Sequence, residues 1–257
     1  MGEYAIGQGV PRSEDPRLLR GGGRYVDDIK LARMAYGVVV RSPHAHALIR
    51  SIDTQAALAA PGVVAVLTSA DWKASGFGDI PAGAGKTLRD GTPMFVPPTP
   101  ALAQDKVRRV GDYVAFVVAE TPYEAMDAAE LVAVDYEPLP SVTGTEDAQA
   151  PGAPLVWDEC PSNVSFVHTG GDREKTEAAL KDAAHVVKEK LVINRVVVAA
   201  MEPRSCIADY NGPEDHYTLY TTTQGAHSYR ATVASKILKV PESKLRVIAH
   251  DVGGSFG

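Results

Sequence analysis

Along the 257-residue chain, apolar positions alternate between a period of two and a period near 3.6, and the changes of period mark short elements. Residues 34–41 (Met-Ala-Tyr-Gly-Val-Val-Val-Arg), 47–53 and 63–68 (Val-Val-Ala-Val-Leu-Thr) are runs of strand composition bounded by turn residues. Between them, 54–60 reads as a short Ala-rich helix, Pro61-Gly62 as a turn, and Ser69-Ala70-Asp71-Trp72 as the start of a helical turn. From 74 to 100 the periodicity is lost in a stretch rich in Gly and Pro. Strand patterning resumes directly afterwards, so this reads as a long surface loop and not as an interdomain linker. Val114–Ala119 is continuously apolar, which predicts a strand buried on both faces. Thr121-Pro122-Tyr123-Glu124 then supplies an N-cap, a proline at the first helical position and a glutamate at the third. The helix that follows places Ala125, Ala128, Ala129 and Val132 on one face, and Leu131–Tyr136 returns as a strand. Strand, helix and strand of these lengths predict a βαβ unit.

Residues 137–163 are rich in Pro, Ala and acidic groups, the composition of an interdomain linker. Gly170-Gly171-Asp172 precedes a helix over 173–184 with Ala178, Ala179, Leu180 and Ala183 facing inward, and Val186–Ile193 reads as a strand. Strands at 207–210 and 217–222 flank the turn Asn211-Gly212-Pro213. A helix runs from about His227 to Leu238, and the apolar run 245–249 leads into His250-Asp251-Val252-Gly253-Gly254-Ser255-Phe256-Gly257. At the other end, residues 1–24 form an extended, charged lead-in in which Arg12, Arg17, Arg20 and Arg24 alternate with acidic residues and prolines. Without P-loop spacing, an arm packed on a partner or on the protein's own body is favoured over a phosphate cradle. The expected class is mixed α+β.

The composition, 45% apolar and 23% charged, is that of a globular protein with a core of useful size. A net charge of −6 and a pI near 5.7 give no footprint for nucleic acid or an anionic membrane. No apolar run approaches the roughly 20 residues needed to span a bilayer. The start, Met1-Gly2-Glu3, has the features of neither a signal peptide nor a myristoylation site. These features point to the cytoplasm. Cys160 and Cys206 read as two buried small hydrophobes in a reducing compartment, and two thiols are too few to hold an iron–sulfur cluster.

Candidate chemistry gathers late in the chain. The glycine-rich run Gly253–Gly257 follows a strand and suits an oxyanion or a phosphate. Gln224, after the strand 217–222, offers one acceptor and two donors. If both strands share a sheet, their carboxyl ends converge on a crevice. Glu202 and Arg204 are read as a structural ion pair ahead of an acid and anion clamp. His227 is open between general base and helix cap. His44 and His46 have the i, i+2 spacing of metal ligands, but no third ligand sits at a recognisable interval and Pro43 marks a strand entrance. GxSxG, HExxH, Walker and complete GxGxxG motifs are absent.

Taken as a set, these residues resemble the large, molybdenum-binding subunit of the xanthine dehydrogenase/aldehyde oxidase/carbon monoxide dehydrogenase family. Arg109–Thr121 and Ala128–Pro140 look like its a/b hammerhead domain. The lead-in Arg12–Asp28, Ser42–His46, Met201–Arg204, Thr223-Gln224 and Val252–Gly257 resemble the same family in the same order. The resemblance implies an arm (1–24), a hammerhead domain (25–140), a linker (141–163) and the first part of a molybdopterin-binding α+β domain (164–257). It matches Gln224 to a glutamine that hydrogen-bonds an oxo ligand of molybdenum. It matches Gly253, Gly254, Ser255, Phe256 and Gly257 to a glycine loop whose backbone faces the pterin dithiolene, with Ser255 where glycine is usual. It implies molybdopterin (the cytosine dinucleotide form in a bacterium) shared with a C-terminal portion of the large subunit on another chain. It also implies [2Fe–2S] clusters on a small subunit and FAD on a medium one. The implied activity is oxidation of a carbon centre in an aldehyde, N-heterocycle or similar small molecule, with water as the oxygen source. The general-base glutamate is expected outside this chain, so no catalytic residue is assigned and the chain alone is expected to be inactive. The alternative is a non-catalytic hammerhead module that binds partner subunits without cofactor.

Overall fold

The computed structural model describes residues 7, 9–82, 85–194 and 196–256. In chain order the elements are α1 (Asp15–Leu18), β1 (Tyr36–Arg41), β2 (Ala47–Asp53), α2 (Gln55–Leu58), β3 (Val63–Thr68), α3 (Ser69–Ala74), β4 (Lys106–Val107), β5 (Tyr113–Ala119), α4 (Pro122–Glu130), β6 (Ala133–Pro138), α5 (Arg173–Asp182), β7 (Cys206–Asn211), β8 (His216–Thr221), α6 (Ala226–Thr232) and β9 (Leu245–Ile248). The chain divides into two compact units, one of residues 34–196 with 236–238, the other of residues 1–33, 197–235 and 239–257. The mixed α+β expectation holds.

In the larger unit, β5 is the hinge of the packing. It lies between β1 and β3, antiparallel to both. Ala115 and Val117 pack with Val66, Ala57, Ala128 and Val132, so one face of β5 carries α2 and α4. Val114, on the opposite face, packs with Ala47 and Val107 of the second sheet, β4-β2-β6. The continuous apolar run thus becomes a strand buried on both faces, as its pattern predicts. The predicted cap of α4 also forms: Glu124 N–H donates to Thr121 Oγ1 at 3.2 Å, and Pro122 opens the helix.

The predicted βαβ unit over 113–136 does not form. β6 pairs antiparallel with β2, Asp53 beside Ala133, and belongs to a different sheet from β5. Its side chains explain why. Val134 and Tyr136 turn inward while Asp135 and Glu137 stay exposed or half-exposed, the alternation of a one-sided antiparallel strand.

Residues 141–165 are packed rather than free. Arg108 lies over the Trp157 ring at 3.5 Å, Lys106 pairs with Asp158 at 3.0 Å, and the Asn163 amide donates to Ala148 O and Pro154 O. Burial lowers the basicity of Arg108, against the pull of Glu159, Asp158, Asp112 and Asp105. The loop after α3 is organised by Thr87–Pro93 bridging and by Phe95 N–H donating to Ser165 O at 3.0 Å.

Three expectations fail on burial. Val186–Ile193 forms no strand, and Leu191 and Ile193 are 84% and 93% exposed. Its composition favours β structure, but a strand is stable only with a ladder partner, and the described residues supply none. α5 forms over Arg173–Asp182, capped by Asp172, yet buries no side chain, so Ala178, Ala179 and Leu180 have no inward face; Ala183 lies past its end and is exposed. Cys206 is exposed on β7, whereas Cys160 is buried, and both are free thiols.

Candidate functional site

The smaller unit contains a parallel strand pair. β8 and β9 are neighbours, with Tyr217 beside Leu245 and Tyr220 beside Ile248. α6 is the crossover between them, and β7 pairs antiparallel on the other side of β8. Parallel neighbours end at the same edge of their sheet. The turn 222–225 and the segment 249–256 therefore leave the sheet together, and the Tyr220 and His250 rings stack there at 6.2 Å and 14°.

The turn after β8 is held by its own side chains: Gly225 N–H donates to Thr223 Oγ1 at 3.2 Å and Ser228 O–H donates to Gly225 O at 3.0 Å. Gln224 is exposed, and its carboxamide has no hydrogen-bond partner among the described residues.

The segment after β9 is anchored by two carboxylates. Asp251 accepts a bidentate pair from Arg17, each N–H···O at 2.7 Å, and a further bond from Arg24 N–H at 2.7 Å. Asp251 N–H in turn donates to Arg24 O at 3.2 Å. Arg17 also donates to Gly22 O at 2.7 Å, so one guanidinium closes the arm on itself and on the loop. The Arg17 guanidinium first, and the Arg24 amide second, hold the Asp251 carboxyl far below the usual carboxylate range; Arg17 itself is raised. Among the described residues of the arm, Arg17 and Arg24 are held against the segment after β9, and residues 15–18 turn through the helix α1.

Glu202 does not pair with Arg204 as expected. Its carboxylate accepts from two backbone amides, Gly253 N–H at 2.7 Å and Val26 N–H at 3.3 Å, and Glu202 N–H donates to Gly253 O at 3.2 Å. These bonds bring the Ala200–Glu202 backbone so close that a Cβ on Gly253 would overlap Glu202 Cβ. A Cβ on Gly254 would lie 2.7 Å from Ala200 Cβ, and Gly254 has φ +146°, a region closed to other residues. Both glycines are dictated by this approach. Beyond Gly253 the backbone is free: the amides of Gly254, Ser255 and Phe256 make no hydrogen bond among the described residues, and Ser255 and Phe256 are exposed. Gly257 lies outside the described residues.

The other candidates lie apart from this edge. His227 lines a cleft of about 380 Å³ with His216, Arg230, Glu242 and Arg246, and no residue of the glycine loop borders it. Arg230 there is paired with Glu242 at 3.1 Å. In the larger unit, His44 packs on Tyr136 at 4.9 Å, and His46 Nδ1 shares a 2.8 Å hydrogen bond with Pro140 O. No group of three His, Cys, Asp or Glu able to hold a metal occurs among the described residues.

The edge thus offers unpaired backbone N–H groups at 254–256 and the Gln224 carboxamide, a donor set suited to an oxygen-rich anionic or metal-oxo group. The pairing of Asp251 with Arg17 has no local signal in the sequence, since 234 positions separate the two residues.

The chain matches the family description "Aldehyde oxidase and xanthine dehydrogenase, a/b hammerhead domain" over residues 20–140. It matches "Molybdopterin cofactor-binding domain" over 156–257. It is 41% identical to the carbon monoxide dehydrogenase large chain of Afipia carboxidovorans, over 96% of this chain and 30% of that one. It is 40% identical to the nicotine 6-hydroxylase large subunit of Paenarthrobacter nicotinovorans, over 98% of this chain and 30% of that one. Among solved structures, reconstituted CO dehydrogenase from Oligotropha carboxidovorans superposes with a TM-score of 0.85 at 39% identity, covering 98% of this chain and 31% of that one. Quinoline 2-oxidoreductase from Pseudomonas putida 86 gives 0.85 at 38%, with the same coverage. The chain spans about 30% of the length of these curated relatives.

Proposed function

Because the chain belongs to the xanthine dehydrogenase/aldehyde oxidase/carbon monoxide dehydrogenase family, we propose that it supplies one wall of the molybdopterin pocket in a large subunit that oxidises a carbon centre of a small molecule. The observation that carries this reading is the parallel β8–β9 pair, which delivers Gln224 and the unpaired amides of Gly254–Phe256 to one sheet edge. The donor set fits the group: Gln224 would donate to an oxygen on the metal, and the amides of 254–256 would face the pterin dithiolene and that oxygen. When bound, the molybdenum centre supplies the two-electron oxidation. This chain's residues hold and orient, and a glutamate base comes from the remainder of the large subunit. Water is the oxygen source, and electrons leave to [2Fe–2S] and FAD groups on partner subunits. The cofactor is the cytosine dinucleotide form in a bacterial source, and the complex resides in the cytoplasm.

Metal analysis combined with intact mass on the complex from its natural source tests the reading. Molybdenum co-purifying with this chain and with the remaining part of a large subunit is the expected result. The chain in stable complex with partners but free of molybdenum would instead identify it as a binding module without cofactor.

A further inference from the structure

The smaller unit contains two carboxylates that both tie the stretch through Val26 to the segment after β9, yet they grip different atoms. Asp251 holds side chain to side chain through Arg17 and reaches the arm backbone at Arg24. Glu202 holds backbone to backbone: one oxygen takes Val26 N–H at 3.3 Å, the other Gly253 N–H at 2.7 Å, and its own amide returns a bond to Gly253 O at 3.2 Å. Gly253 is thereby fixed at both its N–H and its C=O, and its N–H is withdrawn from any ligand. The free donors begin one residue later, at Gly254.

We propose that Glu202 is the positioning residue of the glycine loop: by engaging both polar groups of Gly253 it sets the turn that leaves the amides of Gly254–Phe256 unpaired for the cofactor. Asp251 anchors the arm without touching the loop's donors. The assignment rests on the reading that this loop backs the molybdopterin group. An ionised carboxylate suits the task because it accepts at both oxygens, whereas a glutamine in the same place has one acceptor and presents an NH₂ to the second amide. The close fit enforces the geometry from the other side, since no Cβ is tolerated on Gly253 against Glu202.

The test compares Glu202→Gln with Asp251→Asn in the assembled complex, reading molybdenum per large subunit after exhaustive dialysis, hydrogen exchange in the peptide containing Gly253, and the thermal midpoint. For Glu202→Gln, exchange at Gly253 is expected to rise about tenfold or more as a charge-assisted bond is lost. Retained molybdenum is expected to fall about tenfold, the scale of lost support around a metal group. For Asp251→Asn, the midpoint drops at least as far while molybdenum retention stays near wild type. This split separates positioning from general loosening. Wild-type molybdenum in Glu202→Gln would overturn the assignment and leave the pocket reading intact, as would equal molybdenum loss in both variants. A wild-type complex that never carries molybdenum would overturn the pocket reading and this assignment with it. Should Glu202→Gln fail to assemble, Glu202→Asp serves in its place: it keeps the charge but cannot span both amides, and the same split is required of it.

Discussion

Asp251 accepts three hydrogen bonds, two from the Arg17 guanidinium and one from the Arg24 amide, and its carboxyl is held far below its ordinary value near 3.8. A carboxylate with a depressed folded pKa contributes stability that is complete above its unfolded pKa and is lost as the pH falls through the folded value. Asp251→Asn should therefore lower the thermal midpoint most at neutral pH, and the gap to wild type should begin to narrow below about pH 4, where the unfolded chain takes up a proton, and close only as the pH falls toward the depressed folded value. Calorimetry across that range checks it; a gap that widens in acid contradicts the pairing. At Gly253, substitution by Ala forces a methyl into Glu202 Cβ and should destabilise by about 1–3 kcal/mol, read by chemical denaturation. Gln224→Ala, on an exposed side chain without structural bonds, should leave stability unchanged while reducing turnover of the assembled enzyme about 10–100-fold. Of these residues, Gln224 and the glycines could be placed from local pattern only in turns after strands, and it was the family resemblance that singled them out. Local pattern misassigned Glu202, because Arg204 is its neighbour in the chain while Val26 and Gly253, its partners, are distant.

At the scale of elements, legibility follows where the partner groups come from. The α4 N-cap is local in sequence and formed as predicted; Thr121→Ala should cost about 0.5–2 kcal/mol, measured by urea titration. The β5 run was readable because its two buried faces remove the polar alternation. The pairing of β6 was not, because a helix followed by a strand fits equally well a parallel return to β5 or an antiparallel partner in a second sheet, and only the partner β2 decides. The reverse holds for β8 and β9: their parallel pairing could be stated only as a condition, and the crossover through α6 meets it. α5 shows the limit of pattern reading. Its apolar positions share a face, but a face becomes inward only when another element covers it, and none of the described residues does.

At the scale of the whole molecule, the net charge of −6 opposes association, while one stretch favours it. Val187, Leu191, Val192 and Ile193 are 81%, 84%, 75% and 93% exposed in a segment of strand composition whose backbone has no ladder partner among the described residues. Lys188, Glu189 and Lys190 interrupt the run, and Lys190 is engaged with Glu146 at 2.8 Å, so the charge left to guard the apolar positions is small. A row of unpaired amides and carbonyls flanked by β-branched side chains is a template for another strand, including the same segment of a second copy. The isolated chain should therefore self-associate as its concentration rises, seen as a growing sedimentation coefficient. Leu191→Lys with Ile193→Lys should suppress the association while moving folding stability by no more than about 0.5 kcal/mol, because neither side chain is buried. A chain that sediments as a monomer at every concentration, with and without these changes, would mean that charge repulsion outweighs the exposed run.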